Sequence, residues 1–208
     1  MITGGYLWIG NQMRSKKVIK INCKGTEAKF DELAGKYDSL YTDSESKKID
    51  YEVKKRLKKI ENVNIIDIGC GTGCLLDLID IKKEKYIGVD ISSKMIKRAR
   101  SKFKNYKFKC THEIPIDSTG VYVFLYSLNY IGIEIFKKLN YGSNVLGVIL
   151  TDERMNSKQY KEIYEDMGIK ISLTKMEKYI KFTSIYKLSN YYIYFEGVRN
   201  GECERIYS

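Results

Sequence analysis

Short apolar runs separated by polar segments dominate the middle of the chain. The runs predict buried strands, because a strand covered on both faces of a parallel sheet has no polar side. They lie at Val63–Ile68, Tyr86–Asp90, Tyr106–Cys110, Val121–Tyr126 and Val145–Leu150. Between them, apolar spacing of three or four predicts helices at Gly73–Asp80, through Met95, Ala99 and Phe103, and at Ile131–Leu139. This alternation predicts an α/β fold with a doubly wound, mostly parallel sheet.

The N-terminal part has a different pattern. Residues 1–25 are a predicted arm, and the alternation of Val18–Cys23 indicates a short strand or an extended segment. A first helix is predicted from the spacing of Phe30, Leu33, Ala34, Tyr37 and Tyr41, with Thr26 as its N-cap. A second helix, through Val53, Leu57 and Ile60, follows a break at Thr42–Ser44.

The C-terminal part completes the predicted sheet. Apolar residues from Tyr160 to Met167 form a helical stripe that ends at Gly168. Ile169–Leu173 and Tyr191–Phe195 are predicted as late strands that pair antiparallel around a polar loop. The tyrosine-rich segment Tyr186–Tyr194 either shapes the substrate pocket or completes the sheet, and both interpretations stay open.

The composition limits the class of protein. A chain of 208 residues, 43% of them hydrophobic, can form one domain without a disulfide or metal staple. Its apolar runs are much shorter than the roughly 18 residues that cross a membrane. The basic residues follow the apolar Met1–Ile9 segment, which is the wrong order for a signal peptide. We therefore expect a cytoplasmic protein with no membrane partner.

Cysteine and histidine usage gives no metal-binding pattern. The five cysteines form no CxxC pair, and His112 is the single histidine of the sequence. Because structural zinc sites need three or four such ligands, we expect reduced thiols and no metal.

The chain is basic, with a formal net charge of +11. Two stretches are locally rich in Lys and Arg, Lys47–Lys59 and Lys94–Lys109. Such runs are found both on solvated helix faces and on surfaces that bind nucleic acid, so both interpretations stay open.

The segment with chemical content is Asp67-Ile-Gly-Cys-Gly-Thr-Gly73, between a predicted strand and a predicted helix. Glycines in this position allow a tight turn and a close approach of the backbone to a ligand. The third glycine comes one residue too early for the GxGxxG fingerprint, which argues against a pyrophosphate cradle. Asp90 ends the next strand, where an acid can accept hydrogen bonds from both hydroxyls of a ribose. The combination favours an adenosine without phosphates.

These residues resemble the class I S-adenosylmethionine (SAM)-dependent methyltransferases. The resemblance is carried by Ile65–Gly73 and by Ile87–Met95, and it extends over residues 27–150. Phe30–Asp38 resembles the lid helix of the small-molecule branch, which includes ubiquinone- and menaquinone-biosynthesis methyltransferases. The resemblance implies a seven-stranded Rossmann-like methyltransferase fold with a helical N-terminal lid. It divides the domain, residues 26–208, into lid helices at 26–60, a cofactor-binding core at 61–150 and sheet completion at 151–208.

The resemblance also implies cofactor contacts. Asp67 would hold the methionine amino group, Asp90 the ribose, and Ile91 and Met95 the adenine. The family often has Gly-Asp after the third strand, whereas this chain has Cys110-Thr111-His112-Glu113, so Thr111 or His112 would take over that contact. The other predicted cofactor contacts are Gly69, Cys70, Gly71, Gly73 and Ser127.

The acceptor is expected beyond the fourth strand, at Ser127–Tyr130. Asn129 would orient a polar acceptor, while Tyr130 and the lid residue Tyr37 would pack around the methionine end and the acceptor. For each of these three candidate catalytic residues, an ordinary structural role is the alternative. The Asp/Asn-Pro-Pro-aromatic run of amino-methylating nucleic-acid enzymes is absent, because Pro115, the one proline, precedes the fourth strand.

Three functions therefore remain. The first is transfer of a methyl group from SAM to a small molecule, which leaves S-adenosylhomocysteine (SAH). The second is methylation of RNA or protein through the basic stretches. The third is a SAM-binding partner protein without catalysis.

Overall fold

The computed structural model describes residues 18–20, 25–115, 119–164 and 167–200. Its main sheet has seven strands in the order β4-β3-β2-β6-β7-β9-β8. The first five are parallel to one another, and β9 pairs antiparallel with both β7 and β8. The strands are β2 Ile65–Ile68, β3 Tyr86–Asp90, β4 Lys107–Cys110, β6 Val121–Leu125, β7 Asn144–Leu150, β8 Ile180–Lys187 and β9 Tyr192–Arg199. The predicted doubly wound, mostly parallel seven-stranded sheet is confirmed.

Helices cover both faces of this sheet. They are α1 Thr26–Leu33, α2 Ser44–Leu57, α3 Cys74–Leu78, α4 Ser93–Lys102, α5 Leu128–Ile131, α6 Ile135–Lys138, α7 Asp152–Asn156, α8 Lys158–Tyr164 and α9 Leu173–Met176. Short 3-10 helices lie at Tyr37–Tyr41, Lys58–Ile60 and Lys83–Lys85. No helix in the described ranges is long and apolar enough to cross a membrane.

The two faces of the sheet bury two separate apolar clusters. Ile65 of β2 packs in one cluster with Val53 and Leu57 of α2. Its neighbour Ile66 packs in the other cluster with Phe136 of α6. Because successive side chains of a strand point to opposite faces, a strand between two such layers is apolar at nearly every position, and in β2 the exception is Asp67. This explains the continuous apolar runs of the sequence.

The predicted arm contains a strand. β1, Val18–Lys20, pairs antiparallel with β5, Glu113–Pro115, in a separate two-stranded sheet. It covers the start of the predicted Val18–Cys23 segment, and residues 1–17 and 21–24 lie outside the described residues. The prediction that Thr26 caps the first helix is wrong. Gly25 occupies that position in the left-handed region, and Thr26 is the first helical residue.

Two C-terminal predictions are also wrong. Ile169–Leu173 is not a strand, because it runs as a loop into α9, and the antiparallel partner of β9 is β8. The apolar pattern does not reveal β8, because this strand lies at the sheet edge and five of its eight residues are exposed. The single helix predicted at Ile131–Leu139 is two short helices, separated at Gly132, whose φ is 84°.

Candidate functional site

The loop after β2 lies at the carboxyl edge of the sheet. It is flanked by the ends of β3 on one side and β6 on the other. Here the chain order reverses, since β3 and β4 lie on one side of β2 whereas β6 and β7 lie on the other. Open α/β sheets bind ligands at such a switch point, in the crevice outside the strand ends. Gly69 has φ 69°, and a Cβ there would lie 2.5 Å from the Cβ of Ser127, which follows β6. The two strand ends therefore approach closely only with glycine at this position.

Gly71 borders open space close to the contact between Gly69 and Ser127. Its φ is 53°, and a Cβ built on it meets no atom within 4 Å. Its backbone N–H donates to Asp90 Oδ2 at 2.9 Å, while Asp90 Oδ1 accepts from the Ser92 N–H at 2.8 Å. Burial raises the pKa of Asp90, and these N–H donors counteract that effect. The carboxylate is thus fixed in orientation by two backbone groups.

A cleft of about 600 Å³ lies over Asp90, and we call it the Asp90 chamber. Predicted cofactor residues on its wall are Gly69, Gly71, Asp90, Ile91, Met95, Thr111 and Ser127. A second cleft of about 840 Å³ adjoins it, and we call it the tyrosine chamber. The tyrosines on its wall are Tyr37, Tyr41, Tyr126, Tyr130, Tyr160, Tyr164 and Tyr192. Residues shared by the two walls are Tyr37, Gly69, Gly71, Leu125, Tyr126 and Tyr130.

Asp67 lines the tyrosine chamber near the glycine loop. Its side chain is 2% exposed and accepts a hydrogen bond of 2.8 Å from the Tyr86 hydroxyl. Burial raises the pKa of Asp67 to about 7, so this carboxyl changes charge near neutral pH. Cys70, the neighbouring predicted contact, also lines this chamber, and burial raises the pKa of its thiol. Because the protonated thiol is weakly nucleophilic, Cys70 acts as a wall residue.

Tyr126 occupies the junction of the two chambers in an uncommon backbone conformation. It directly follows β6 and has φ 60°, a region that residues other than glycine rarely adopt. Its N–H donates to the Val148 carbonyl at 2.9 Å, which holds the backbone in place. Its ring packs edge-to-face against Tyr192 at 5.6 Å between centroids. Strained backbone of this kind is concentrated at functional sites.

The N-terminal helices are fastened directly to the cofactor loops. Asp31 of α1 accepts hydrogen bonds from the Ser92 hydroxyl at 2.5 Å and from the Lys94 N–H at 3.0 Å, at the start of α4. Asp38 accepts a hydrogen bond from Thr72 of the glycine loop. Phe30 packs edge-to-face on Tyr130 at 5.0 Å. These contacts place the predicted lid segment over both chambers.

The three candidate catalytic residues divide into two groups. Tyr37 and Tyr130 line both chambers, in agreement with the predicted location. Asn129 lines neither chamber and is fully buried. It accepts from the Leu150 N–H at 2.8 Å and donates to the carbonyls of Leu150 and Ile169. Its amide therefore connects β7 to a distant loop, and the structure does not support the predicted contact with an acceptor.

Two predicted cofactor residues also lie away from the clefts. His112 is exposed and has its Nε2 3.7 Å from Glu27 of α1. Gly73 has φ 96°, and a Cβ there would lie 2.6 Å from the Phe103 ring, so it serves the packing of α4. Thr111 remains at the chamber wall, where its N–H donates to the Asp90 carbonyl at 2.9 Å. Of the two alternatives for the adenine contact, the structure favours Thr111.

The sequence does not predict the part of the tyrosine chamber that α8 supplies. It predicts Tyr160 and Tyr164 as an apolar stripe without a role at the site, whereas for Tyr192 it leaves both a pocket role and a role in the sheet open. Arg154, at the start of the C-terminal part, lines the chamber and is buried. The available signal was the high tyrosine content, 18 residues, but it does not reveal which rings converge.

The Asp90 chamber fits an adenosine with an attached amino acid. Its wall offers a fixed carboxylate for ribose hydroxyls, apolar side chains of Ile91 and Met95 for a planar base, and open space over Gly71. The adjoining carboxyl of Asp67 is suited to an ammonium group. For a metal the described residues show no suitable cluster of three or more His, Cys, Asp or Glu.

Comparisons with known proteins agree with this arrangement. Residues 65–118 match the model of a methyltransferase domain family. The chain is 30% identical over 136 residues to a carboxy-S-adenosyl-L-methionine synthase from Helicobacter pylori, which is 55% of this chain and 56% of that protein. It therefore spans little more than half the length of this curated relative.

Similar solved structures share the fold at low identity. N-methyltransferase NodS from Bradyrhizobium japonicum, in complex with SAH, superposes with a TM-score of 0.61 at 14% identity over 85% of this chain and 99% of that one. Magnesium protoporphyrin IX methyltransferase from Synechocystis, with bound SAM, gives 0.58 at 16% identity over 84% and 95%. A chain of the Haloferax volcanii complex between the Trm112 methyltransferase activator and the putative methyltransferase gives 0.64 at 14% identity over 85% and 98%. Residues 65–118 thus resemble a methyltransferase domain, and the chain has the Rossmann-like fold of class I SAM-dependent methyltransferases.

Proposed function

We propose that this protein is a SAM-dependent methyltransferase that acts on a small-molecule acceptor. The observation that carries the proposal is the continuity of the two chambers. The wall that suits an adenosine passes, through Gly69, Gly71 and Tyr126, into a tyrosine-lined space of small-molecule size. Catalysis by proximity needs this arrangement of cofactor and acceptor sites side by side.

Cofactor binding would rest on a few residues. Asp90 would accept from the ribose hydroxyls, and Ile91 and Met95 would pack on the adenine. Gly69, Gly71 and Asp67 would hold the methionine end. When bound, SAM supplies a methyl group that its sulfonium has already activated. The similar Synechocystis enzyme was crystallised with SAM and the similar Bradyrhizobium enzyme with SAH, which supports this assignment.

The protein's own contribution would be alignment and exclusion of water. Tyr37 and Tyr130 line both chambers and would keep a bound acceptor in line for displacement. Burial raises the pKa values of both hydroxyls, so they remain protonated and act as donors and walls. We assign no general base, and the proposal favours acceptors whose reacting atom is nucleophilic without one.

Charge pairing favours a small molecule over a nucleic acid. In the Lys94–Lys109 stretch, Arg98 and Lys102 form ion pairs with Asp38, and Lys102 also pairs with Asp77. These cations are therefore partly neutralised by the protein's own carboxylates. Methylation of RNA or protein remains an outcome of the experiment.

The test is transfer of label from methyl-labelled SAM in a cell extract. The matched control is Gly71→Val, whose side chain would fill the open space over the loop. Label in new soluble compounds, lost with the control variant, supports the proposal. Label in RNase-sensitive or protease-sensitive precipitate contradicts it and favours a macromolecular acceptor. Cofactor binding without any transfer also contradicts it, as does label found solely in a modified cofactor, the product indicated by the name of the Helicobacter pylori relative.

A further inference from the structure

A buried cation without a carboxylate partner lines the tyrosine chamber. Arg154 lies in α7, directly after β7, and is 8% exposed. Its Nη1 donates to Gln159 Oε1 at 2.8 Å. Its guanidinium lies 5.6 Å and 5.9 Å from the ring centroids of Tyr191 and Tyr192. In the described part of the chain, no Asp or Glu forms an ion pair with it.

Burial of the Arg154 guanidinium costs free energy unless an anion pairs with it. Proteins bury charged groups almost always with a partner of opposite charge, because the loss of hydration is expensive. One amide oxygen and two aromatic faces compensate for part of that loss. The guanidinium presents a planar fork of N–H donors that matches an oxyanion in two parallel hydrogen bonds. A ligand carboxylate would supply the missing charge.

The neighbouring tyrosine side chains add hydroxyl groups that can donate hydrogen bonds to an oxyanion. Burial raises the pKa values of Tyr164 and Tyr192 to about 12, so their hydroxyls are protonated at neutral pH. Neutral hydroxyls donate to an oxyanion and do not repel it. The two carboxyls on the chamber wall, Asp50 and Asp67, make no ion pair with Arg154, and Asp67 is bonded to Tyr86. The rings themselves form apolar walls for the rest of a ligand.

We infer that Arg154 binds a carboxylate of the methyl acceptor, so that the acceptor class is small carboxylic acids with an aromatic or apolar body. This inference rests on the proposed function. Its basis is that Arg154 and the tyrosines line one cleft, which adjoins the proposed cofactor wall. The carboxylate of the methionine end of SAM has the same chemistry, and the experiment separates the two sources.

The experiment measures binding and needs no turnover. Probes are benzoate, phenylacetate and 3-phenylpropanoate, each compared with its primary amide, which has the same shape without the charge. Affinity is measured by calorimetry on SAH-loaded protein. Variants are Arg154→Met, which removes the charge, and Arg154→Lys, which keeps it. Arg100→Met, an exposed arginine on α4, is the matched control.

We expect at least one carboxylate to bind about tenfold more tightly than its amide, the scale of a charged hydrogen-bonded contact. Arg154→Met should abolish this preference, Arg154→Lys should keep part of it, and Arg100→Met should leave it intact. Equal binding of acid and amide, binding of none of the acids, or a preference that survives Arg154→Met would overturn the inference.

A second measurement identifies the source of the carboxylate. SAH affinity should be the same in the parent protein and in Arg154→Met, as should the affinity for 5′-methylthioadenosine, which lacks the amino-acid end. A variant that loses SAH affinity but keeps methylthioadenosine affinity would assign Arg154 to the cofactor and overturn the inference. Failure of the proposed function is seen separately, because it appears as absence of methyl transfer while carboxylate binding persists.

Discussion

Replacing Asn129 by alanine should damage stability far more than cofactor binding. The side chain satisfies two buried backbone groups, the N–H and the carbonyl of Leu150, and also the partly buried carbonyl of Ile169. Each buried group that loses its partner costs about 1–3 kcal/mol, and partial relaxation makes the sum smaller than the maximum. We therefore expect the free energy of unfolding to fall by about 3–5 kcal/mol, a large fraction of the stability of a typical domain.

Urea unfolding monitored by circular dichroism measures this change. Asn62→Ala is the matched control, because its side chain is exposed and a surface substitution should change stability by about 0.5 kcal/mol or less. At low temperature, where the variant is still folded, SAH affinity should remain close to that of the parent. The reasoning is refuted if Asn129→Ala unfolds like the control while methyl transfer is lost, since that result would return Asn129 to the reaction itself.

Three further predictions concern the cofactor wall. Gly71→Val should abolish SAH binding in calorimetry, whereas Gly35→Val, at an exposed glycine, should not. Asp90→Ala should weaken SAH binding by about 1–3 kcal/mol, because ribose hydroxyls would lose their acceptor; unchanged affinity would remove Asp90 from the site. Because the folded pKa of Asp67 is about 7 and the ordinary value is 3.8, its contribution to stability is complete below pH 4 and is lost as the pH rises through 7. Urea unfolding at pH 5 and pH 8 should therefore show a smaller difference in Asp67→Asn than in the parent, and an equal difference would contradict the burial argument.

The features whose position in the fold the sequence predicted are local in the chain. The glycine loop, Asp90 and the strands around them follow from a strand, a turn and a helix within about thirty residues, the length of one βαβ unit. That turn requires a positive φ at Gly69 and Gly71, and glycine adopts a positive φ without the steric strain that a side chain would cause. Such positions can be recognised without knowledge of the rest of the fold.

The features that failed depend on distant parts of the chain. Asn129 follows the fourth parallel strand, which is where an acceptor-binding residue is expected. Its amide, however, donates hydrogen bonds to the carbonyls of Leu150 and Ile169. Arg154 and Tyr164 reach the site because α7 and α8 pack over it, and no local pattern encodes that packing. For His112, which follows the third parallel strand, the sequence leaves a place near the adenine and a place in solvent open, and the structure has it exposed beside Glu27.

The contact between Asp31 and Ser92 has a kinetic consequence. Ser92 donates its hydroxyl to Asp31 of α1 and its backbone N–H to Asp90, so one residue joins the N-terminal helices to the carboxylate proposed to bind the ribose. A ligand held by Asp90 should therefore tighten the docking of α1, and docked helices should raise the affinity for that ligand by the same factor. The chamber wall that includes Tyr37 and Tyr41 would be assembled by the first ligand before the second arrives. We expect an ordered sequential rate law, with the nucleoside ligand binding first and leaving last.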